Sequence, residues 1–309
     1  MNLSDRLRDL FDGLAEADAY PGAVLVQHGT DTVFEGAYGL ASRAWRVPNT
    51  IDTRFDTASI TKAITAAAVL QLVDDGRLAF DTSVIDLLGL EGTTISREVT
   101  VLHCLTHTSG IADDADEEAG EAYADVFRDR PNYSVIQTAD FLPQFAYKPP
   151  TFPPGQGCRY NNVAFVLLGL CIERVTGATY RDHVREHVLA RAGMDRTDFF
   201  RMDVVAADVA EGTDPIVDEA GTVTGWRRNI YSYPPIGSPD GGVHSTVHDL
   251  ARFWRAARTA QLFSPALTER FLQPHALHSR TDQRVLRYGL GIDHVADADD
   301  HPMFIEKEG

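Results

Sequence analysis

Ser59-Ile60-Thr61-Lys62-Ala63-Ile64-Thr65-Ala66-Ala67-Ala68-Val69-Leu70-Gln71-Leu72-Val73 is the stretch on which the fold turns. It holds neither Gly nor Pro, is rich in Ala, Ile, Val and Leu, and closes at Asp75-Gly76, where glycine supplies the usual helix stop. The run therefore predicts a long helix over 59–73. A spacing of three puts Ser59 and Lys62 on one face of it, about one turn apart. A neutral serine hydroxyl is a weak nucleophile that needs a base beside it, and lysine serves when burial or positive neighbours lower its pKa. The positive end of the helix dipole acts in the same sense, disfavouring the ammonium and favouring negative charge that grows near Ser59.

Serine and lysine meet at this spacing by chance in many chains of this length, so the lysine count adds weight. Lys62, Lys148 and Lys307 are the only lysines among 28 basic side chains. Where arginine is the default surface cation, a retained lysine points to an amine that must lose its proton, which arginine does not do.

Further along, Val163 to Val175 is strongly apolar and stops at Gly177, which predicts a second, buried helix. Tyr160-Asn161-Asn162 precedes it and follows the Pro/Gly-rich loop Pro149 to Gly157, a place where side chains are held rigidly at a cleft edge. A phenol near a lysine can shuttle a proton. Asn162 is suited either to bond a substrate amide or to fix Lys62. The final tripeptide, Lys307-Glu308-Gly309, ends a strand-like run, so Lys307 and Gly309 share one face and Glu308 takes the other. There the lysine is suited to a substrate carboxylate or to the proton relay, and the glycine to close approach of a ligand.

These three pieces, in this order, resemble the class C β-lactamase branch of the penicillin-binding protein superfamily. That branch also contains D-alanyl-D-alanine peptidases and esterases. Its serine-x-x-lysine, tyrosine-x-asparagine and lysine-x-glycine boxes are matched by Ser59/Lys62, Tyr160/Asn162 and Lys307/Gly309. Pro21-Gly22-Ala23, Leu105-Thr106-His107-Thr108-Ser109-Gly110, Phe152-Pro153-Pro154-Gly155, Gly241-Gly242-Val243-His244-Ser245-Thr246 and Tyr288-Gly289-Leu290-Gly291 also fall where the family has similar words. The resemblance implies that Ser59 is the nucleophile, that Lys62 and Tyr160 are its proton-transfer pair, and that Asn162, Lys307 and Gly309 meet the substrate. It implies an oxyanion hole made by the Ser59 N–H and by the residue after the third box. The sequence stops at Gly309, whereas the family continues with further strands and a helix, so the expectation is a chain truncated there. Glu308 stands where the family has a small or hydroxyl residue.

The fold expected is α+β: an antiparallel sheet flanked by helices, from residues 1–54 and 236–309, with a mostly helical region inserted over 55–235 that carries the nucleophile. Leu3, Leu7, Leu10, Phe11 and Leu14 recur at helical spacing, Ala23 to Gln27 and Thr32 to Tyr38 read as a hairpin, and Leu250 to Ala257 as a helix. Tyr288 to Ile292 and Met303 to Ile305 read as strands. Asp113 to Glu121 reads as an acidic loop.

Composition narrows the partners. Hydrophobic residues at 44% and charged residues at 24% are ordinary for a soluble globular chain, and no apolar run approaches membrane-spanning length. No secretory leader pattern opens the sequence, so a cytoplasmic location is expected. A net charge of −17 repels phosphate backbones, which argues against nucleic acid. Cys104, Cys158 and Cys171 are odd in number and share no CxxC spacing, so no disulfide or cysteine-based zinc site is expected. The i, i+4 pairs His103/His107, His183/His187 and His244/His248 lack the H-E-x-x-H form and a third ligand, so neither a metal nor another cofactor is expected. The expected substrate is a small ester, amide or β-lactam. A binding protein that keeps the cleft but not the chemistry is the competing reading; four matched polar residues weigh against it.

Overall fold

The computed structural model describes residues 2–309. It opens with helix α1, Leu3–Glu16, started by a capping box in which Asn2 accepts from the Asp5 N–H. Strands β1, Gly22–His28, and β2, Asp31–Tyr38, form an antiparallel hairpin, and Phe11 of α1 lays its ring on Phe34 and Tyr38. The two-residue strand β3, Phe55–Asp56, leads through a short 3-10 turn at Ala58–Ile60 into α2, Thr61–Asp74. The long helix thus begins two residues later than its sequence suggests. Ser59 lies in the tight turn that feeds it, and Gly76 follows its end with φ of +68°.

Every residue of α2 from Thr61 to Leu72 is buried, which explains why its sequence shows no polar stripe. Each Leu or Ile so covered stabilises the fold by about 2 kcal/mol. Against α2 packs α3, Val163–Thr176, nearly as apolar and closed by Gly177 at φ +75°. Strands β4, Thr213–Val217, and β5, Val223–Arg228, form a mostly exposed antiparallel hairpin. Strand β6, His244–Ser245, pairs with β3 and leads into α4, Val247–Arg258.

Four antiparallel strands follow: β7, Ala276–Arg280, β8, Arg284–Tyr288, β9, Asp293–Asp297, and β10, Pro302–Glu306, in the order β10-β9-β8-β7. The fold is the expected α+β class with antiparallel sheets. Two details differ from the sequence reading. The stretch 288–292 is not a strand: β8 ends at Tyr288 and Gly289 to Ile292 make the turn into β9. Gly291 takes φ +78°, and a Cβ on it would stand 2.7 Å from that of Ala66, so the turn is what brings the sheet against α2. The chain's two ends also give separate sheets, since among the described residues β1 and β2 pair only with each other and β10 only with β9. Among the described residues no single helix is long and apolar enough to cross a membrane.

Candidate active site

The segment 57–61 is held from outside. Thr57 donates through its hydroxyl to the Val243 carbonyl at 2.7 Å, and the Thr61 hydroxyl accepts from the Val243 N–H at 3.0 Å. Ala58 is thereby kept at φ +41°, a left-handed conformation that costs an alanine about 1–2 kcal/mol. Its N–H is satisfied by Asp56 Oδ1 at 2.8 Å. This strained residue presents Ser59 at the mouth of the turn, one turn ahead of Lys62.

Lys62 is fully buried. Its Nζ lies 2.9 Å from Ser59 Oγ, 2.8 Å from Asn162 Oδ1 and 2.6 Å from the Asp240 carbonyl. The two oxygens of Asn162 and Asp240 can only accept. A neutral amine donates its two N–H bonds to them and turns its lone pair on the Ser59 hydroxyl. Burial lowers the Lys62 pKa, although Asp240, Asp113, Glu117 and Asp114 pull it back up. Asp240 is itself buried, and its carboxyl accepts from the Ser238 hydroxyl at 2.6 Å.

Tyr160 reaches the same oxygen from the other side, with its phenol 2.6 Å from Ser59 Oγ. Its ring is clamped by His107, whose centroid is 4.8 Å away and which also packs on Tyr288 at 4.6 Å. Burial raises the Tyr160 pKa, while nearby Lys307 lowers it. His107 Nδ1 accepts the Asn161 N–H at 3.1 Å, so its ring proton sits on Nε2. Burial, with Lys307 and Lys62 nearby, pushes its pKa well below the ordinary value and keeps it neutral.

The structure therefore brings Ser59, Lys62, Tyr160 and Asn162 into one cluster. Of the two roles open to Asn162, its Oδ1 fixes Lys62, while its buried Nδ2 has no partner among the described residues and remains as a donor. Lys307 lies 5.2 Å from the Tyr160 ring but points its ammonium at Asp293 Oδ2, 3.0 Å away. Gly309 lines the cleft, where a Cβ would stand 2.1 Å from the Thr57 carbonyl oxygen, so its bareness serves contact with the chain's own backbone.

Three acids in the site went unseen in the sequence. Asp113 caps α3, accepting from the N–H groups of Asn162 at 2.8 Å and Val163 at 3.1 Å. That frees the Asn162 side chain, which would otherwise cap its own helix, to reach Lys62. Burial raises the Asp113 pKa to about 6 against the pull of those N–H groups. Lys148, the third lysine, donates to the carbonyls of Asp113 and Asp114 at 2.8 and 2.9 Å and braces the same turn. Asp240 and Asp293 are the other two. Asp113 lies three residues past the Leu105 to Gly110 words and Asp240 immediately before the Gly241 to Thr246 words, which gave both a positional signal; which lysines Asp240 and Asp293 meet is set only by the fold. Among the described residues no group of three or more His, Cys, Asp or Glu is placed to hold a metal ion.

A family model described as Beta-lactamase matches residues 7–308. Penicillin-binding protein 4* of Bacillus subtilis (strain 168) is 28% identical over 303 residues, covering 94% of this chain and 63% of that protein. Esterase EstB of Burkholderia gladioli is 37% identical over 188 residues, 57% of this chain and 46% of that one. The chain thus spans roughly half to three fifths of the length of these two relatives. Among solved structures, a penicillin-binding protein from Bacillus halodurans superposes with a TM-score of 0.84 at 34% identity, over 96% of this chain and 94% of that one.

Proposed function

Since the chain belongs to the Beta-lactamase family, we propose that it is a serine hydrolase that opens an ester or amide through an acyl-enzyme on Ser59. The observation that carries this reading is the double contact on Ser59 Oγ, with a buried amine at 2.9 Å and a phenol at 2.6 Å. Attack by Ser59 Oγ on the carbonyl carbon forms the new C–O bond while the hydroxyl proton passes to the Lys62 lone pair. When the tetrahedral intermediate collapses, the bond to the leaving atom breaks, and that atom takes a proton from the Tyr160 phenol, which Lys62 restores. Water then repeats the sequence on the acyl-enzyme. Burial acts oppositely on the two groups, lowering the amine and raising the phenol, and that divergence supports Lys62 as the base and Tyr160 as the acid. The similarity to an esterase and to penicillin-binding proteins supports acyl transfer as the reaction class.

The test is turnover of p-nitrophenyl butyrate by the wild type and Ser59→Ala, with mass mapping of the trapped acyl group. The expected result is an adduct on the peptide containing Ser59 and loss of turnover by a factor of about 10⁴ or more in the variant. Sustained turnover by Ser59→Ala contradicts the assignment.

A further inference from the structure

The cleft that ends at Ser59 has a volume of about 830 Å³, and its lining includes the apolar Phe55, Phe200, Met202, Val204 and Val205. Its charges are unequally matched. Arg201 is held by Asp203 at 2.7 Å and Arg228 by Glu211 at 3.6 Å. Lys307, outside the cleft lining and with 2% of its side chain exposed, is held by Asp293. No cation lining the cleft is left over for a substrate anion among the described residues. On the acidic side, Asp56 accepts the Ala58 N–H, whereas the exposed Glu117 has no ion-pair or side-chain hydrogen-bond partner among the described residues. Glu117 stands close enough to Lys62, Tyr123, Tyr160 and Tyr233 for its charge to act on all four. A second unmatched group lines the same space: Asn162 Nδ2, a donor with no partner among the described residues, on a residue 3% exposed.

We propose that this cleft selects amine-bearing, carboxylate-free esters or amides with an apolar body, and that Glu117 is the counter-ion of the substrate's ammonium, a proposal that rests on the serine-hydrolase reading. The apolar wall takes the body of the substrate and Asn162 Nδ2 takes one of its oxygens. A carboxylate-bearing substrate has to draw Lys307 from Asp293, and that leaves a buried carboxylate without its partner. An ammonium meets an unpaired carboxylate whose pull is reduced by solvent and salt.

Three p-nitrophenyl esters of matched shape test this: the 4-(trimethylammonio)butyrate, its neutral isostere the 5,5-dimethylhexanoate, and the anionic monoester of glutarate. At low ionic strength kcat/KM is expected to be about five-fold higher for the cation than for the isostere, and lowest for the anion. The cation-to-isostere ratio is expected to fall toward one at high salt and in Glu117→Gln, each ratio being taken on a single protein preparation. A wild-type ratio of one or less with the isostere turned over, a ratio unchanged in Glu117→Gln, or a preference for the glutarate ester overturns the substrate assignment. Absence of turnover of all three, with no adduct on Ser59, overturns the hydrolase reading and this proposal with it.

Discussion

Lys62 shows what a single side chain can and cannot disclose in the sequence. Its spacing from Ser59 and the scarcity of lysine pointed to it; its second acceptor, the Asp240 carbonyl at 2.6 Å, lies 178 positions away and left no local trace. The same holds for Lys307, whose box was legible while its partner Asp293 was not. The protonation of Lys62 sets the sign of the pH dependence. Burial holds its pKa below the ordinary lysine value, and the base form is the working one. As pH falls through the Lys62 pKa the amine takes up a proton and turnover is lost; above it turnover is full. The rate profile is therefore expected to show an acid limb of one proton for a neutral ester, measured as kcat/KM against pH. His107, already neutral through burial, does not add to it above its depressed pKa. A profile with no acid limb contradicts Lys62 as the base.

At the scale of elements, α2 and α3 were legible because both are long apolar runs closed by glycine, and the first hairpin because its turn residues sit between short apolar stretches. The turn at 289–292 was not, because a strand ending in Gly-Leu-Gly-Ile has the same local pattern as one that continues; only its approach to α2 decides the matter. Another close approach positions the base. Gly169 on α3 faces Pro239, and a Cβ there would stand 2.1 Å from the proline ring. Pro239 in turn receives the Thr65 hydroxyl on its carbonyl at 2.7 Å, next to the Asp240 carbonyl that holds Lys62. Gly169→Ala is expected to cost about 1–3 kcal/mol by overpacking and, by shifting Asp240, to lower kcat as well. Urea unfolding and steady-state kinetics on the same variant check it, and wild-type values in both contradict the packing described.

Across the whole molecule, the ordered boxes disclosed the family and the α+β class, because box order is a property of the chain. Which strands pair is a property of the folded sheets, and there the sequence disclosed the β1–β2 hairpin but not that it stays apart from the β7–β10 ladder. Burial is unequal as well: α2 and α3 lie inside the main core, whereas α1 has no buried residue and rests on the hairpin mainly through Phe11. Amide hydrogen exchange is therefore expected to proceed first in α1 and last in α2 and α3. Equal protection of α1 and α2 contradicts this ranking.

The measurement that bears most directly on Lys62 as the base is the rate at which a fluorophosphonate labels Ser59 in the wild type and in Lys62→Arg, followed by intact mass. Arginine keeps the positive charge but does not give up its proton. Labelling of the variant is expected to be slower by a factor of about 10²–10⁴; labelling at the wild-type rate contradicts proton transfer from Ser59 to Lys62.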